Sequence, residues 1–383
     1  MTNSEKSSVR KKISSSFINV LLLIISLCIV IIISEITLPL LKNRVIEESV
    51  YCARRPVVQG IYGAYHPQIE YTLQKNLHNI RLFYPGKLDY ILNTNTYGFR
   101  GPDWDLSANR KNVVILGDSF AMGWGVQWEQ TMGKILEKEL QKTDPAYQVI
   151  NLAISGYDLN HIIRSFELYK DLLKPVAVVY VFCKNDINIL KDVKKISNTE
   201  YDIEYHPQPD DEKKYQAVVA RQQPGYWSWS KFRQSSYVAA LIRIIRPTFS
   251  KRIRSFFKID VVPKGHSYPP PIPSPPNAAL DKEHKQFFLY CLNRLRKDAG
   301  NGHLYLIDVS DKTKLYLKDT ADNPRWVLHE FSENNKQSVS FIDFESFVRN
   351  TPDGRKLHMD YDDHWSAAGH AAAAKLILEK MPI

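Results

Sequence analysis

Val113-Val114-Ile115-Leu116-Gly117-Asp118-Ser119-Phe120 is the stretch that decides the fold. A short β-branched run closed by glycine reads as a buried strand ending in a tight turn. The turn places Ser119 just beyond the strand's C-terminal edge, where open α/β sheets bind their ligands. A serine hydroxyl becomes nucleophilic only beside a base. The far end of the chain offers one in Asp362-Asp363-His364-Trp365.

Working outward from this strand, apolar runs and amphipathic stretches alternate. The pattern predicts strands over 113–116, 147–152 and 177–182 and helices over 131–141 and 160–173. That alternation signals a parallel sheet covered by helices on both faces. Regularity breaks after Asp186. Residues 192–280 are polar, basic and rich in proline, and they read as an insertion ending in the extended connector 268–276. Within it, Arg243, Arg246, Lys251, Arg252, Arg254 and Lys258 alternate with Ile, Leu and Phe. This segment suits either a membrane surface or a solvated helix packed on the domain. The cluster Tyr226-Trp227-Ser228-Trp229 suits core packing more than sugar stacking. Beyond the insertion we expect a helix over 281–298, a strand over 303–309, a helix over 323–332 and another strand or extended segment over 339–344. A closing helix over 367–380 follows, capped by Ser366.

The N-terminus bears on location. Residues 1–16 carry Lys6, Arg10, Lys11 and Lys12 against Glu5, and an apolar run to Leu41 follows. That run is long enough for a helix across a hydrocarbon core of about 30 Å. Positive charge ahead of it predicts a cytoplasmic N-terminus and an exported remainder. The apolar region is longer than a signal peptide needs, and no Ala-x-Ala site follows. The expected organisation is a cytoplasmic tail (1–16), a transmembrane helix (17–41), a lead-in segment of short strands and loops (42–110) and a catalytic domain (111–383). Glu35, near the outer end of the span, calls for an interfacial position or a partner helix.

The 383 residues carry a net charge of +10 without any zinc-finger or RNA-binding signature, so anionic surfaces fit better than nucleic acid. Cys28, Cys52, Cys183 and Cys291 show no CxxC and no paired spacing, which argues against structural zinc. A small buried hydrophobe is the expected role for most of them.

Two more blocks follow the predicted strands. Gly156, in Asn151-Leu152-Ala153-Ile154-Ser155-Gly156-Tyr157, can expose a backbone N–H to a ligand. Asn185, in Cys183-Lys184-Asn185-Asp186, can donate its carboxamide NH2 to a developing oxyanion. Each is weak alone. In chain order, however, Ser119, Gly156, Asn185 and His364 follow successive sheet-edge positions, and Gly123 stands four residues after Ser119. This series resembles the SGNH hydrolases, or GDSL esterase/lipase family, over about 112–190 and 335–380. Asn95-Thr96-Tyr97-Gly98-Phe99-Arg100-Gly101 is similar to the approach in membrane-anchored bacterial members.

The resemblance implies a flavodoxin-like three-layer α/β/α fold with a parallel sheet, behind one transmembrane helix. It implies Ser119 as nucleophile, His364 as general base, and an oxyanion hole of the Ser119 and Gly156 N–H groups with the Asn185 side chain. Neither metal nor cofactor is implied. Two positions depart from the family pattern. Cys183 stands where the third block has glycine, and Tyr361 stands where aspartate precedes the histidine by three. The resemblance implies Asp362 as the orienting acid, because Asp-x-His-Trp with a following Gly-His (Gly369-His370) occurs in related bacterial members. Asp360 and Asp363 are in reserve, a dyad without an orienting acid stays open, and His370 is read as structural. The implied chemistry is hydrolysis of short acyl esters, O-acetyl foremost, on cell-envelope glycans. Alternatives are O-acyl transfer with the same residues and an inactive binding or assembly module. Expected partners are an acylated carbohydrate and the membrane, with a membrane-protein partner for Glu35 left open.

Overall fold

The computed structural model describes residues 3–41, 47, 50, 51, 58–187, 193–197, 200–222, 236–242, 282–309, 324–360 and 362–381. The residues divide into two compact units, one of 1–55 with 227–267 and one of 56–226 with 268–383. Cys52, Tyr226–Trp229, the proline stretch and the basic residues from Arg243 to Lys258 lie outside the described residues.

In the first unit, helix α1 (Asn3–Thr37) leads into a 3-10 turn, Leu38–Leu41. Phe17–Leu40 has a mean hydropathy of 3.1 and is long and apolar enough to cross a membrane, a measure that a signal sequence also satisfies. Glu35 finds partners within the chain. Its carboxylate accepts the N–H groups of Tyr237 (2.9 Å) and Val238 (3.0 Å) and the Ser236 hydroxyl, at the start of a helical stretch over 237–242. Ala240 and Val50 are buried there, with Leu38, Tyr237 and Leu241 packed against them.

The second unit opens with helix α2 (Val58–Tyr62) and two antiparallel hairpins, β1 (Gly63–His66) with β2 (Glu70–Leu73) and β3 (Ile80–Tyr84) with β4 (Leu88–Leu92). Then come β5 (Lys111–Leu116), the short helix α3 (Ser119–Met122), α4 (Met132–Thr143), β6 (Tyr147–Asn151), α5 (Leu159–Leu173) and β7 (Ala177–Phe182). A hairpin of β8 (Lys194–Ser197) and β9 (Glu200–Asp202) and helix α6 (Asp211–Gln222) follow. The chain closes with α7 (Lys282–Asp298), β10 (His303–Asp308), α8 (Pro324–Asn334), β11 (Val339–Ile342), α9 (Phe344–Asn350) and α10 (Ala367–Leu378).

The main sheet runs β11-β10-β7-β5-β6 and is parallel throughout. In the order of its own strands this is the flavodoxin-like sequence, with the direction of winding reversing between β5 and β7. Val113–Leu116 and Ala177–Phe182 are buried along their length, as central strands covered on both faces must be. Phe287, Phe288, Cys291, Leu292 and Leu295 form the buried stripe of α7 at the three- and four-residue spacing read from the sequence.

Expected and observed elements differ where a side chain from elsewhere decides. The strand or extended segment expected over 339–344 is strand β11 through Ile342 and gives way to α9 at Phe344, because the Asp343 side chain accepts the Ser346 N–H (2.8 Å) and Asp308 accepts that of Phe344 (2.7 Å). The lead-in, expected to hold short strands and loops, also contains helix α2. The polar stretch after residue 192 contains the β8–β9 hairpin and α6. Cys28, Cys183 and Cys291 are free thiols, and of the three only Cys291 is buried.

Candidate active site

Central strand β5 delivers Ser119 to the reversal point of the sheet. The turn depends on Gly117, whose φ is +148° and where a Cβ would meet the Val181 carbonyl oxygen at 2.9 Å and Ala121 Cβ at 2.8 Å. Asp118 caps α3 by accepting the Phe120 N–H (2.9 Å). As the first residue of α3, Ser119 has an N–H without an intrahelical acceptor. Its side chain sits at the boundary of burial, 9% exposed.

His364 Nε2 stands 2.6 Å from Ser119 Oγ, across 245 residues of chain. On the other side of the ring, Nδ1 is hydrogen-bonded to the Asp362 carboxylate, which also accepts the His364 N–H (3.2 Å). The loop carrying His364 is pinned at both ends. Met359 N–H donates to the His364 carbonyl (2.9 Å) and Ser366 N–H to that of Leu357 (2.9 Å). Trp365 is fully buried, its ring centroid 4.8 Å from Phe344 and 5.5 Å from Phe120. Phe120 also lies 4.7 Å from the His364 ring. The structure therefore brings Ser119, His364 and Asp362 into one chain of contacts. His370 lies apart from it on α10, buried, accepting the Met132 N–H (3.2 Å). Burial, with the charges of Arg100 and His364, pushes the His370 imidazole down to about 3, so it stays neutral.

Asn185 follows β7 in a 3-10 turn, Lys184–Ile187, and its side-chain amide donates to Asp118 Oδ2 (3.3 Å). An amide NH2 has two hydrogens, so one donor remains for a ligand. Burial pushes the Asp118 carboxyl up, while the bonds from Phe120, Asn185 and Cys183 and the His364 charge pull against that. Cys183 does not have a positive φ, so this backbone needs no glycine there. Its N–H donates to Asp186 Oδ2 (3.0 Å), which also accepts the Tyr180 hydroxyl (2.7 Å). Burial and the neighbouring Asp118 hold the Asp186 carboxyl well above the usual range. Gly156 lies exposed in the turn after β6 with φ +87°, and the turn closes through the Tyr157 N–H and the Ile154 carbonyl (3.1 Å).

Motif and spacing assign no role to Asp186 or to Arg100. The Arg100 guanidinium, from the lead-in, is buried against the end of the Ser119 helix. It donates to the carbonyls of Met122 (3.3 Å), Gly123, Val126 (2.8 Å) and Ile91 (3.3 Å). A cation at the C-terminus of α3 meets the negative end of its peptide dipoles. Burial lowers the Arg100 guanidinium to about 10. The signal available was an arginine between Phe99 and Gly101 in a turn-rich motif, where unpaired main-chain carbonyls need donors.

A hydroxyl bonded to an imidazole whose second nitrogen meets a carboxylate can pass its proton to that ring. Comparison with known proteins adds the family. A family model described as GDSL-like Lipase/Acylhydrolase matches residues 113–377. The chain belongs to that family. This GDSL/SGNH chain is thus an ester-bond hydrolase by membership, and its parallel sheet flanked by helices is the SGNH α/β fold. No curated protein matches its sequence. Similar solved structures include that of TesA, at 12% identity and a TM-score of 0.37, covering 70% of this chain and 97% of that one. The lipase/acylhydrolase from Enterococcus faecalis is 12% identical with a TM-score of 0.34, covering 70% and 94% of the two chains. A carbohydrate esterase family 2 enzyme of Corynascus thermopiles, with its carbohydrate-binding domain, is 15% identical with a TM-score of 0.31, covering 76% and 70%.

Proposed function

We propose that this GDSL/SGNH chain is a membrane-anchored, extracytoplasmic serine esterase that removes short acyl groups, foremost O-acetyl, from cell-envelope glycans. The observation that carries the catalytic part is the contact chain from Ser119 Oγ through His364 to Asp362. In this reading His364 Nε2 accepts the Ser119 proton as Oγ attacks the ester carbonyl. The oxyanion receives the N–H groups of Ser119 and Gly156 and the free hydrogen of the Asn185 amide. His364 then returns the proton to the departing alcohol, leaving acyl-Ser119. Water, deprotonated by the same imidazole, releases the acid and restores the hydroxyl. Asp362 holds the ring in the tautomer with Nε2 free to accept, and stabilises the imidazolium between steps.

The location and substrate parts rest on other features. The apolar helix Phe17–Leu40 behind a basic tail supports an anchor with residues 42–383 outside, the catalytic domain beginning near residue 111. An envelope ester suits that compartment, and the net charge of +10 suits an anionic polymer.

The test is labelling by a fluorophosphonate with mass-spectrometric mapping, beside hydrolysis of p-nitrophenyl acetate. Ser119 should carry the label, His364→Ala should lose it, and Ser119→Ala should lose hydrolysis. Folded protein that takes no label, or hydrolyses ester without Ser119, would overturn the reading. Adding acetylated and free glycan acceptors separates the hydrolase from a transferase, which would form acylated glycan faster than acetate.

A further inference from the structure

We propose that the β1–β2 hairpin, outside the family-matched region, is a positioning element for the Gly156 turn, acting through Glu70, Tyr71, Tyr157 and His161. The inference rests on the oxyanion role proposed above for Gly156.

Tyr157 directly follows Gly156. Its side chain is fully buried, and its hydroxyl donates to the main-chain carbonyl of Tyr71 in β2 (2.8 Å). The Tyr71 ring packs edge-on against Tyr157 at 5.2 Å. One residue further, Asp158 caps α5 by accepting the N–H groups of Asn160 (3.0 Å) and His161 (3.2 Å). The His161 ring stacks on Tyr157, with 5.2 Å between centroids and 15° between planes. Its Nδ1 meets Asp158 Oδ1 at 2.7 Å and its Nε2 meets Glu70 Oε2 at 3.0 Å. A ring with both nitrogens against carboxylates is doubly satisfied as an imidazolium. Burial alone would lower His161, but the bonds and charges of Asp158 and Glu70 outweigh it and raise the group to about 9. So the side chains of Tyr157 and His161, on the C-terminal side of the turn, are tied to one hairpin 86 and 91 residues earlier in the chain.

Glu70 itself supplies an independent observation. It has φ +92°, a region that non-glycine residues occupy only when something holds them there. In this conformation its carboxylate meets His161 while its backbone pairs with His66 across β1. Tyr215 of α6 stacks on the outer face of Tyr71 at 5.7 Å, and closes the cluster from the far side. An N–H that must meet an oxyanion at about 2.9 Å gains from a turn that cannot drift, since 1 Å of misplacement costs about 100-fold in rate. A loop held only by its own hydrogen bond would lack that restraint.

The experiment compares Glu70→Gln, Glu70→Gly and Tyr157→Phe with the full-length wild type. It measures kcat and KM for p-nitrophenyl acetate, the rate of fluorophosphonate labelling, and Tm. Glu70→Gln and Tyr157→Phe should each lower kcat and the labelling rate together by about 10-fold, with KM within about twofold. Glu70→Gly relieves the backbone and should keep or raise Tm while losing the same rate, a separation that a merely structural contact would not give. Wild-type kcat in all three variants would overturn the inference, and so would rate losses that only track a falling Tm. Hydrolysis retained by Ser119→Ala would sink the catalytic reading and this inference together. An inactive Ser119→Ala beside fully active hairpin variants would sink the inference alone.

Discussion

The turn carrying Ser119 and the loop carrying His364 end 2.6 Å apart but are built in opposite ways. The serine turn is assembled mainly from neighbours in sequence. Gly117 allows the bend, Asp118 caps the helix two residues on, and the Trp124 N–H returns to the Ser119 carbonyl (3.0 Å). Among its described residues the histidine loop carries a single isolated bridge, between His358 and Trp365. Its position comes from Trp365, wedged between residues of α3 and α9. Helix α9 is held in turn by Asp308, at the end of β10. A serine placed by local backbone geometry thus meets an imidazole placed by packing. Damage to the packing around Trp365 should therefore register as lost stability with chemistry following, and damage to the groups that contact the Ser119 hydroxyl or the His364 ring as lost chemistry.

The sharpest cut is at the acid. Asp362→Asn preserves shape but favours the wrong imidazole tautomer, so kcat for p-nitrophenyl acetate should fall by on the order of 10⁴-fold with Tm nearly unchanged. If Asp360→Asn or Asp363→Asn produced that loss instead, the observed pairing of His364 with Asp362 would not be the functional one. Next in size is Trp365→Ala. Emptying the space of a buried indole should cost about 3–5 kcal/mol in denaturant unfolding, and kcat should drop as His364 loses its support. Unfolding that matches wild type would show that the loop is held by its backbone bridge alone.

Arg100→Met probes the opposite side of the comparison. It strips the carbonyls of Met122, Gly123 and Val126 of their donor, at a cost of about 3 kcal/mol. If stability falls and the serine stays reactive to fluorophosphonate, the turn is as locally determined as its contacts imply. The smallest effect concerns pH on the histidine side. Burial first, then the Asp343 and Glu345 charges, raises the Asp308 carboxyl to about 8, against the pull of the Phe344 N–H and Arg325. In the folded protein Asp308 therefore keeps its proton between about pH 4 and 8, where the unfolded chain has lost it. Stability should fall as pH rises through that window, because the native state binds the extra proton. Asp308→Asn should flatten the Tm–pH curve by a few degrees, while a curve unchanged by the substitution would remove Asp308 as its source.

The same contrast explains what could be read in advance. Strands β5 and β7 and helices α4, α5, α7 and α10 were legible because burial on one or both faces imposes a period on the residues. The choice of Asp362 over Asp360 and Asp363 came from motif resemblance, and spacing alone could not have made it, since three carboxylates cluster near one histidine. Helix α9 had no such signal, and one of its two caps comes from Asp308, 36 residues away. The contacts of Arg100 and Glu70 were invisible for a related reason. A polar residue's partner, unlike an apolar residue's need for burial, is not encoded in its neighbours.

By itself, then, the chain's order of residues determined a parallel α/β sheet, an apolar N-terminal helix and the turn that exposes Ser119. These follow from steric limits and hydrophobic period, which act over a few residues. Only the folded molecule decided that His364 meets Ser119 and that the lead-in hairpin reaches the Gly156 turn. The first contact spans 245 residues and the hairpin contacts 86 and 91, and their geometry exists only once the sheet has set the distances between its strand ends.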